Sequence, residues 1–176
     1  LGEWCFTATN INKIIIPETV KKIGDETFYK CQSLTDLVIN ANCTEIPVML
    51  CYECQNLKSV TMSDTITSIL GGAFEDCSNM TEIKLSNKLE NIGYTAFKGC
   101  GNLETITLPA TVKELEAMAL YSWNLNVNFE NYLNLKKIGN NAFAKCIIND
   151  ENAKEYILSI NDTALESPIA WSSVWG

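Results

Sequence analysis

Eight cysteines and no histidine set the chemical possibilities of this chain. Cys31, Cys54, Cys77, Cys100 and Cys146 fall on one 23-residue spacing, with Trp123 in the slot between the last two. Cys51 and Cys54 form a C-x-x-C that Cys31 and Cys77 would flank if successive copies stack. A thiolate zinc site needs four convergent ligands at about 2.3 Å, and a thioredoxin-like redox pair needs a βαβ context. Both members of this pair lie on slots that repeat as core, so the chemistry predicted for them is that of free, buried thiols packing as small apolar side chains. Bridges between successive copies are permitted by distance alone, because stacked strands at about 4.8 Å lie inside the roughly 4.4–6.8 Å Cα separation of a disulfide.

Other catalytic equipment is thin. The lack of histidine removes the commonest acid/base and metal ligand at neutral pH. Glu82 and Glu104 sit in different copies at unlike positions, which suits exposed charge better than a carboxylate pair. There is no nucleophile elbow, P-loop or G-x-G-x-x-G, and Gly71-Gly72 falls inside a repeat turn. No catalytic residue, cofactor or metal is assigned, and the chain reads as no enzyme. Thirteen basic against 21 acidic residues give a net charge of −8. Without a basic cluster, nucleic acid and anionic membrane surfaces are poor partners. No run reaches the roughly 20 apolar residues of a membrane span, and no basic-then-apolar signal segment opens the chain.

The elements that must carry these residues recur. Three before each cysteine slot stands Phe28, Cys51, Phe74, Phe97, Leu120 or Phe143, and eight before stands Ile23, Ile46, Ile69, Ile92, Leu115 or Ile138. Gly24, Gly93 and Gly139 follow that residue in three copies. Val20, Cys43, Ile66, Leu89, Val112 and Leu135 come eleven before. After the cysteine, Leu37, Val60, Ile83 and Ile106 are followed two later by Ile39, Met62, Leu85 and Leu108. A constant period in the twenties predicts a solenoid whose coils bury their apolar faces only against neighbours. The alternation at 35–39 and its equivalents predicts strands stacked into a parallel sheet, which Pro17 and Pro109 end in two copies. Apolar spacing of three to four over 92–100 predicts short helical or 3₁₀ return turns on the opposite face.

The pattern L-x-x-I-x-L-P-x-x-V-x-x-I-G-x-x-A-F-x-x-C, matched nearly throughout by residues 80–100 and 103–119, resembles the BspA-like leucine-rich repeat. The resemblance covers about residues 11–146, and the A-F-x-x-C ending is specific to it. It implies a right-handed α/β superhelix and places the chain among surface or secreted, mostly bacterial and protist, proteins. It also implies adhesion or partner binding without catalysis, and names no ligand.

Three copies depart from the pattern. Pro47, Leu50 and Cys51 replace Gly, Ala and Phe, predicting a non-standard return segment. Glu116, Leu120 and Trp123 replace Gly, Phe and Cys, so that coil must bulge or expose the indole. Asn126 and Asn131 take buried strand slots while Leu125, Val127 and Phe129 alternate, predicting a slipped or bulged strand. At the N-terminus the period puts Cys5 in the Phe slot and Ala8 in the cysteine slot, with Trp4 and Phe6 as covers for the first coil.

Residues 1–146 thus read as the solenoid and 147–176 as a C-terminal cap or linker, with Glu155–Ile160 as one strand. The outward strand positions are the candidate partner-binding residues: Lys13 with Ile15, Asp36 with Val38, Ser59 with Thr61, Glu82 with Lys84, Thr105 with Thr107, and Asn128 with Glu130. They offer hydroxyls and a few charges to a host or matrix protein or a glycan, outside the cell or on its surface, from a chain that is a monomer or part of a larger one. The alternative is a rigid spacer in a larger surface protein. N-x-S/T sequons occur at Asn42, Asn79 and Asn161.

Overall fold

Alternation of inward and outward side chains builds the front of the molecule. The structure, a computed structural model, describes residues 1–166. Strands β1 (Lys13–Ile16), β2 (Asp36–Ile39), β4 (Ser59–Met62) and β6 (Glu82–Lys84) pair in parallel in that order, and β8 (Thr105–Leu108) pairs with β10 (Asn126–Phe129). Lys13 lies opposite Asp36, Asp36 opposite Ser59 and Ser59 opposite Glu82, so each partner is one period away. Leu37, Ile39, Val60, Met62, Ile106 and Leu108 point into the core. The front is interrupted between β6 and β8. Pro109, which has no N–H to offer the preceding coil, follows β8 directly at this gap.

A second parallel ladder runs along the solenoid. Two-residue strands β3 (Glu45–Ile46), β5 (Ser68–Ile69), β7 (Asn91–Ile92), β9 (Glu114–Leu115) and β11 (Lys137–Ile138) stack without a break. Each presents its Ile or Leu to the core. Nothing in the hydrophobic period announces these strands, because two residues cannot display an alternation.

The return segments are turns, not the helical or 3₁₀ stretches that their apolar spacing predicts. Short bonds such as Tyr29 N to Glu26 O (3.1 Å) curl the chain, but alternate amides go to the next coil, as Phe28 N to Leu50 O (2.9 Å) and Phe74 N to Ala96 O (2.9 Å). Left-handed residues bracket the turns: Glu26 and Lys30, Met49 and Glu53, Gly72 and Asp76, Thr95 and Gly99, with φ between 50° and 76°. They break any helix at both ends. Among the described residues the one 3₁₀ helix is Tyr132–Asn134.

Glycine after the ladder residue answers to a close approach. A Cβ on Gly93 would lie 2.8 Å from Gly71 N, and one on Gly139 2.3 Å from Ala117 N. Pro47, Leu50 and Cys51 do not distort the second return turn. All three are buried, and Cys51 N still reaches Ala73 O at 2.8 Å.

The sixth strand slips as its composition predicts. Asn126 and Asn128 stand opposite Thr105 and Thr107, 21 residues away instead of 23, so Val127 and Phe129 fill the inward positions. The 3₁₀ helix takes up the difference, and Leu135 is back on the period and buried. A one-residue shift also occurs at the N-terminus. Phe6, not Cys5, stacks on Phe28 with centroids 5.6 Å apart. Cys5 is exposed, and Thr9 rather than Ala8 meets Cys31, with Oγ1 3.6 Å from Sγ.

Glu155–Ile160 belongs to a helix, not a strand: α1 spans Glu151–Ile160. Asp150 caps it by accepting from Asn152 N and Ala153 N. Ala153, Tyr156, Ile157 and Ile160 make the i, i+3, i+4, i+7 stripe that packs on the core. Residues 161–166 then make a further return turn, with Phe143 N bonded to Ala164 O at 2.9 Å. Ser167–Gly176, including the Trp171–Trp175 stretch read with the cap, lies outside the described residues.

Candidate binding surface

The outward strand residues fall into two rows across the front. One runs Lys13, Asp36, Ser59, Glu82 and the other Ile15, Val38, Thr61, Lys84. Beyond the gap the rows continue as Thr105 with Asn126 and Thr107 with Asn128. The two-residue slip therefore corrects two sequence assignments. Asn126 takes the row position expected of Asn128, Asn128 takes that of Glu130, and Glu130 falls past the strand. There its Oε2 accepts from Ala110 N at 2.9 Å, capping the corner after Pro109.

These residues are not equally available. Asp36 is spent inside the row: Thr35 Oγ1 and Ser59 Oγ donate to it at 2.7 and 2.8 Å, and Lys13 Nζ lies 3.1 Å away. Those hydrogen bonds hold its carboxyl at about 2. Asn126 donates to Glu104 O. Thr61, Glu82, Lys84, Thr105, Thr107 and Asn128 make no side-chain hydrogen bond or ion pair among the described residues. Ile15 is 65% exposed, so the apolar end of the surface lies at β1.

Charges elsewhere on the surface tie coils together. Lys30–Glu53 (3.3 Å), Lys98–Glu75 (2.7 Å), Lys113–Glu90 (2.8 Å) and Lys137–Glu114 (3.2 Å) each join residues 23 apart. Asparagines do the same at the turn into the front strand: Asn79 Nδ2 reaches Asn56 Oδ1 at 3.4 Å, and Asn102 Nδ2 reaches Asn79 Oδ1 at 3.0 Å. The apolar period does not reveal that ladder, although an asparagine two residues after Cys54, Cys77 and Cys100 is plain in the sequence. Of the sequons, Asn161 has its amide spent on Ile138 O (2.8 Å) and Asn140 Oδ1 (3.0 Å), while Asn42 and Asn79 are exposed.

All eight cysteines are free. Cys54 Sγ donates to Phe28 O at 2.9 Å, and Cys51 lies wholly inside the core. Burial pushes the Cys51 and Cys77 thiols well above their ordinary value, and Cys100 up to about 12. A neutral buried thiol is a poor nucleophile and a poor metal ligand. Among the described residues no three His, Cys, Asp or Glu side chains are grouped to hold a metal, and no helix is long and apolar enough to cross a membrane.

A stack of coils with one face in parallel strands and one outward polar surface defines a repeat-protein β-solenoid. The BspA type leucine rich repeat region, as a family model with six copies, matches residues 1–126 and 44–170, and the chain belongs to that family. A leucine-rich repeat protein from Bacteroides ovatus is 30% identical, with a TM-score of 0.74, over 93% of this chain and 43% of that one. One from Eubacterium ventriosum is 31% identical, with a TM-score of 0.67, over 69% of this chain and 34% of that one. A leucine rich cell surface protein from Faecalibacterium prausnitzii shares the fold at 20% identity and a TM-score of 0.54, over 89% of this chain and 53% of that one. The chain thus spans between a third and a half of the first two. Comparison with curated proteins finds no match.

Proposed function

We propose that this chain is a non-enzymatic binding module of a cell-surface or secreted protein, meeting a host or matrix protein through its front sheet. The observation that carries the reading is the set of uncommitted outward groups, Thr61, Glu82 and Lys84 in register on one parallel ladder and Thr105, Thr107 and Asn128 on the next. Charges on the other faces are used to fasten coil to coil. A rigid platform loses little conformational freedom on binding, which favours recognition without rearrangement. The surface location draws on the family and on the neighbour described as a cell surface protein. We assign residues 147–166 the role of closing the end of the solenoid, since an open coil leaves its apolar face unpaired.

The test is a triple variant, Thr61→Arg, Lys84→Glu and Thr107→Arg, checked for unchanged circular dichroism and melting temperature. It should lose binding to immobilised matrix proteins and host cells that the unaltered chain binds. Should the unaltered chain bind none of these, a rigid spacer becomes the better reading, one favoured by the ion pairs that lock neighbouring coils.

A further inference from the structure

The coils that carry β6 and β8 part at the front while staying joined elsewhere. Lys113 N reaches Glu90 O at 2.8 Å, Phe97 N reaches Ala119 O at 2.9 Å and Asn102 N reaches Ser78 O at 3.2 Å. The earlier front joints are closed by paired amides. Lys58 N and Ser59 N both reach Thr35 O, and Thr81 N and Glu82 N both reach Lys58 O, at 2.8 to 3.2 Å. Glu104 N and Thr105 N make no such bond to Thr81 O among the described residues. Most Cα pairs between β6 and β8 are more than 8 Å apart, where paired strands sit about 4.8 Å apart.

Both walls of this gap carry free main-chain groups. Asn126 N takes Glu104 O at 2.9 Å and Glu130 N takes Leu108 O at 3.0 Å. Thr105 and Thr107 therefore turn their N–H and C=O groups the other way, toward β6. On β6, Glu82 N is committed to Lys58 O, so the main-chain groups of Ile83 face the opening. The Ile83 side chain points inward yet is only half-buried, whereas its counterparts Leu37, Val60 and Ile106 are buried. An apolar floor thus lies between two unpaired strand edges.

We infer that the gap takes an extended polypeptide segment of a partner protein, added as a third strand on the free edge of β8. This rests on the sheet-face reading and gives the partner its chemistry. A strand offers alternating N–H and C=O groups at the spacing that Thr105 and Thr107 present. Laid parallel to β8, its outward side chains fall first between Glu82 and Thr105, then between Lys84 and Thr107. A basic residue followed two places later by an acidic one complements those two charges. The residue after each points inward, toward Ile83 and Leu85, and is apolar.

The probe is acetyl-Ser-Lys-Val-Glu-Val-Ser-amide, titrated into the whole chain and followed by amide exchange. At about ten times its Kd, exchange at Thr105 and Thr107 should slow roughly tenfold, with Ser59 and Thr61 unchanged. The same peptide N-methylated at both valines keeps its side chains but loses the donors aimed at β8. It should bind about tenfold more weakly or not at all. Thr105→Pro removes an N–H that has no partner in the free chain. It should keep the parent melting temperature, as proline does on a free edge, and lose the peptide. Unslowed exchange at Thr105 and Thr107, or equal binding of the methylated peptide, overturns the proposal. Matrix-protein binding that survives excess peptide and Thr105→Pro, but is lost in the triple sheet-face variant, also overturns it and leaves the sheet-face reading standing.

Discussion

Each thiol of the cysteine row ends on a carbonyl of the coil before it. Cys31 donates to Phe6 O, Cys77 to Cys51 O, Cys100 to Phe74 O and Cys146 to Leu120 O, at 2.9 to 3.2 Å. A thiol fills the small slot that alanine would leave donorless. The same burial fixes its titration. Cys100 ionises near 12 when folded, against an ordinary 9.0, so above pH 9 the unfolded chain releases its proton first and stability falls as pH rises toward 12. Melting temperature should be flat from pH 7 to 8 and decline above about 9, and Cys100→Ala should soften that decline. At pH 8 the exposed Cys5 should be the fast-reacting thiol toward a disulfide reagent, the buried ones reacting only as coils open. Cys43, half-exposed and outside the row, is removed as well: a fast phase surviving in Cys5→Ser/Cys43→Ser would show that the row is not closed. Asp36 behaves oppositely. Its folded value of about 2 lies below the ordinary 3.8, so its contribution is present above pH 4 and is lost as pH falls toward 2. Asp36→Asn should flatten that acid limb in a pH series of thermal melts.

The slots that alternate or recur at 23 residues are legible in the sequence, because a buried ring of side chains must repeat if coils stack. The front strands, the cysteine row and the slip at Asn126 all follow from that. Elements whose shape is set by backbone, not by burial, are not legible in this way. The two-residue ladder strands have no period of their own. The left-handed positions hold Glu26, Lys30, Met49 and Thr95 as readily as Gly72, so glycine does not mark them. Helix α1 reads as a strand because Tyr156-Ile157-Leu158 is apolar in any conformation, and its cap, Asp150, stands outside that stretch. Among the candidate binding residues, Thr61 and Lys84 stand on the outward row that alternation predicts, and only the pair past the slip moves. Two measurements belong to this scale. Gly93→Ala or Gly139→Ala forces a Cβ against the preceding coil's backbone and should cost about 1–3 kcal/mol in denaturant melts. Gly101→Ala, with open space around it, should cost almost nothing. At the break in the front sheet, Thr105 and Thr107 have no ladder partner toward β6. Their amides should exchange with solvent faster than those of Ser59 and Thr61, and equal protection would mean that the sheet is continuous in solution.

In a stack of coils, each unit is stabilised by itself and by its two neighbours, so the ends decide where unfolding starts. At the C-terminal side of the described coils, α1 and the turn after it pack against the coil that holds Ile138 and Phe143. Ala153 and Ile157 are fully buried. Tyr156 Oη lies 3.1 Å from Leu133 O and 3.0 Å from Leu135 O, its single proton shared between the two carbonyls. Asn161 Nδ2 donates to Ile138 O at 2.8 Å, doing with a side chain what the Gly139 amide does for Leu115 O one coil earlier. These contacts engage carbonyls of the coil around Ile138 and cover part of its apolar face. If these residues close the solenoid, Ile157→Ala should cost about 2–5 kcal/mol, and the loss should be local. In native-state hydrogen exchange the amides of Gly139 and Phe143 should lose protection, while those of Cys51 and Phe74, several coils away, keep theirs. Uniform loss along the chain would mean that the array unfolds as one unit. Unchanged protection at Gly139 and Phe143 would mean that α1 only rests on the coil it covers.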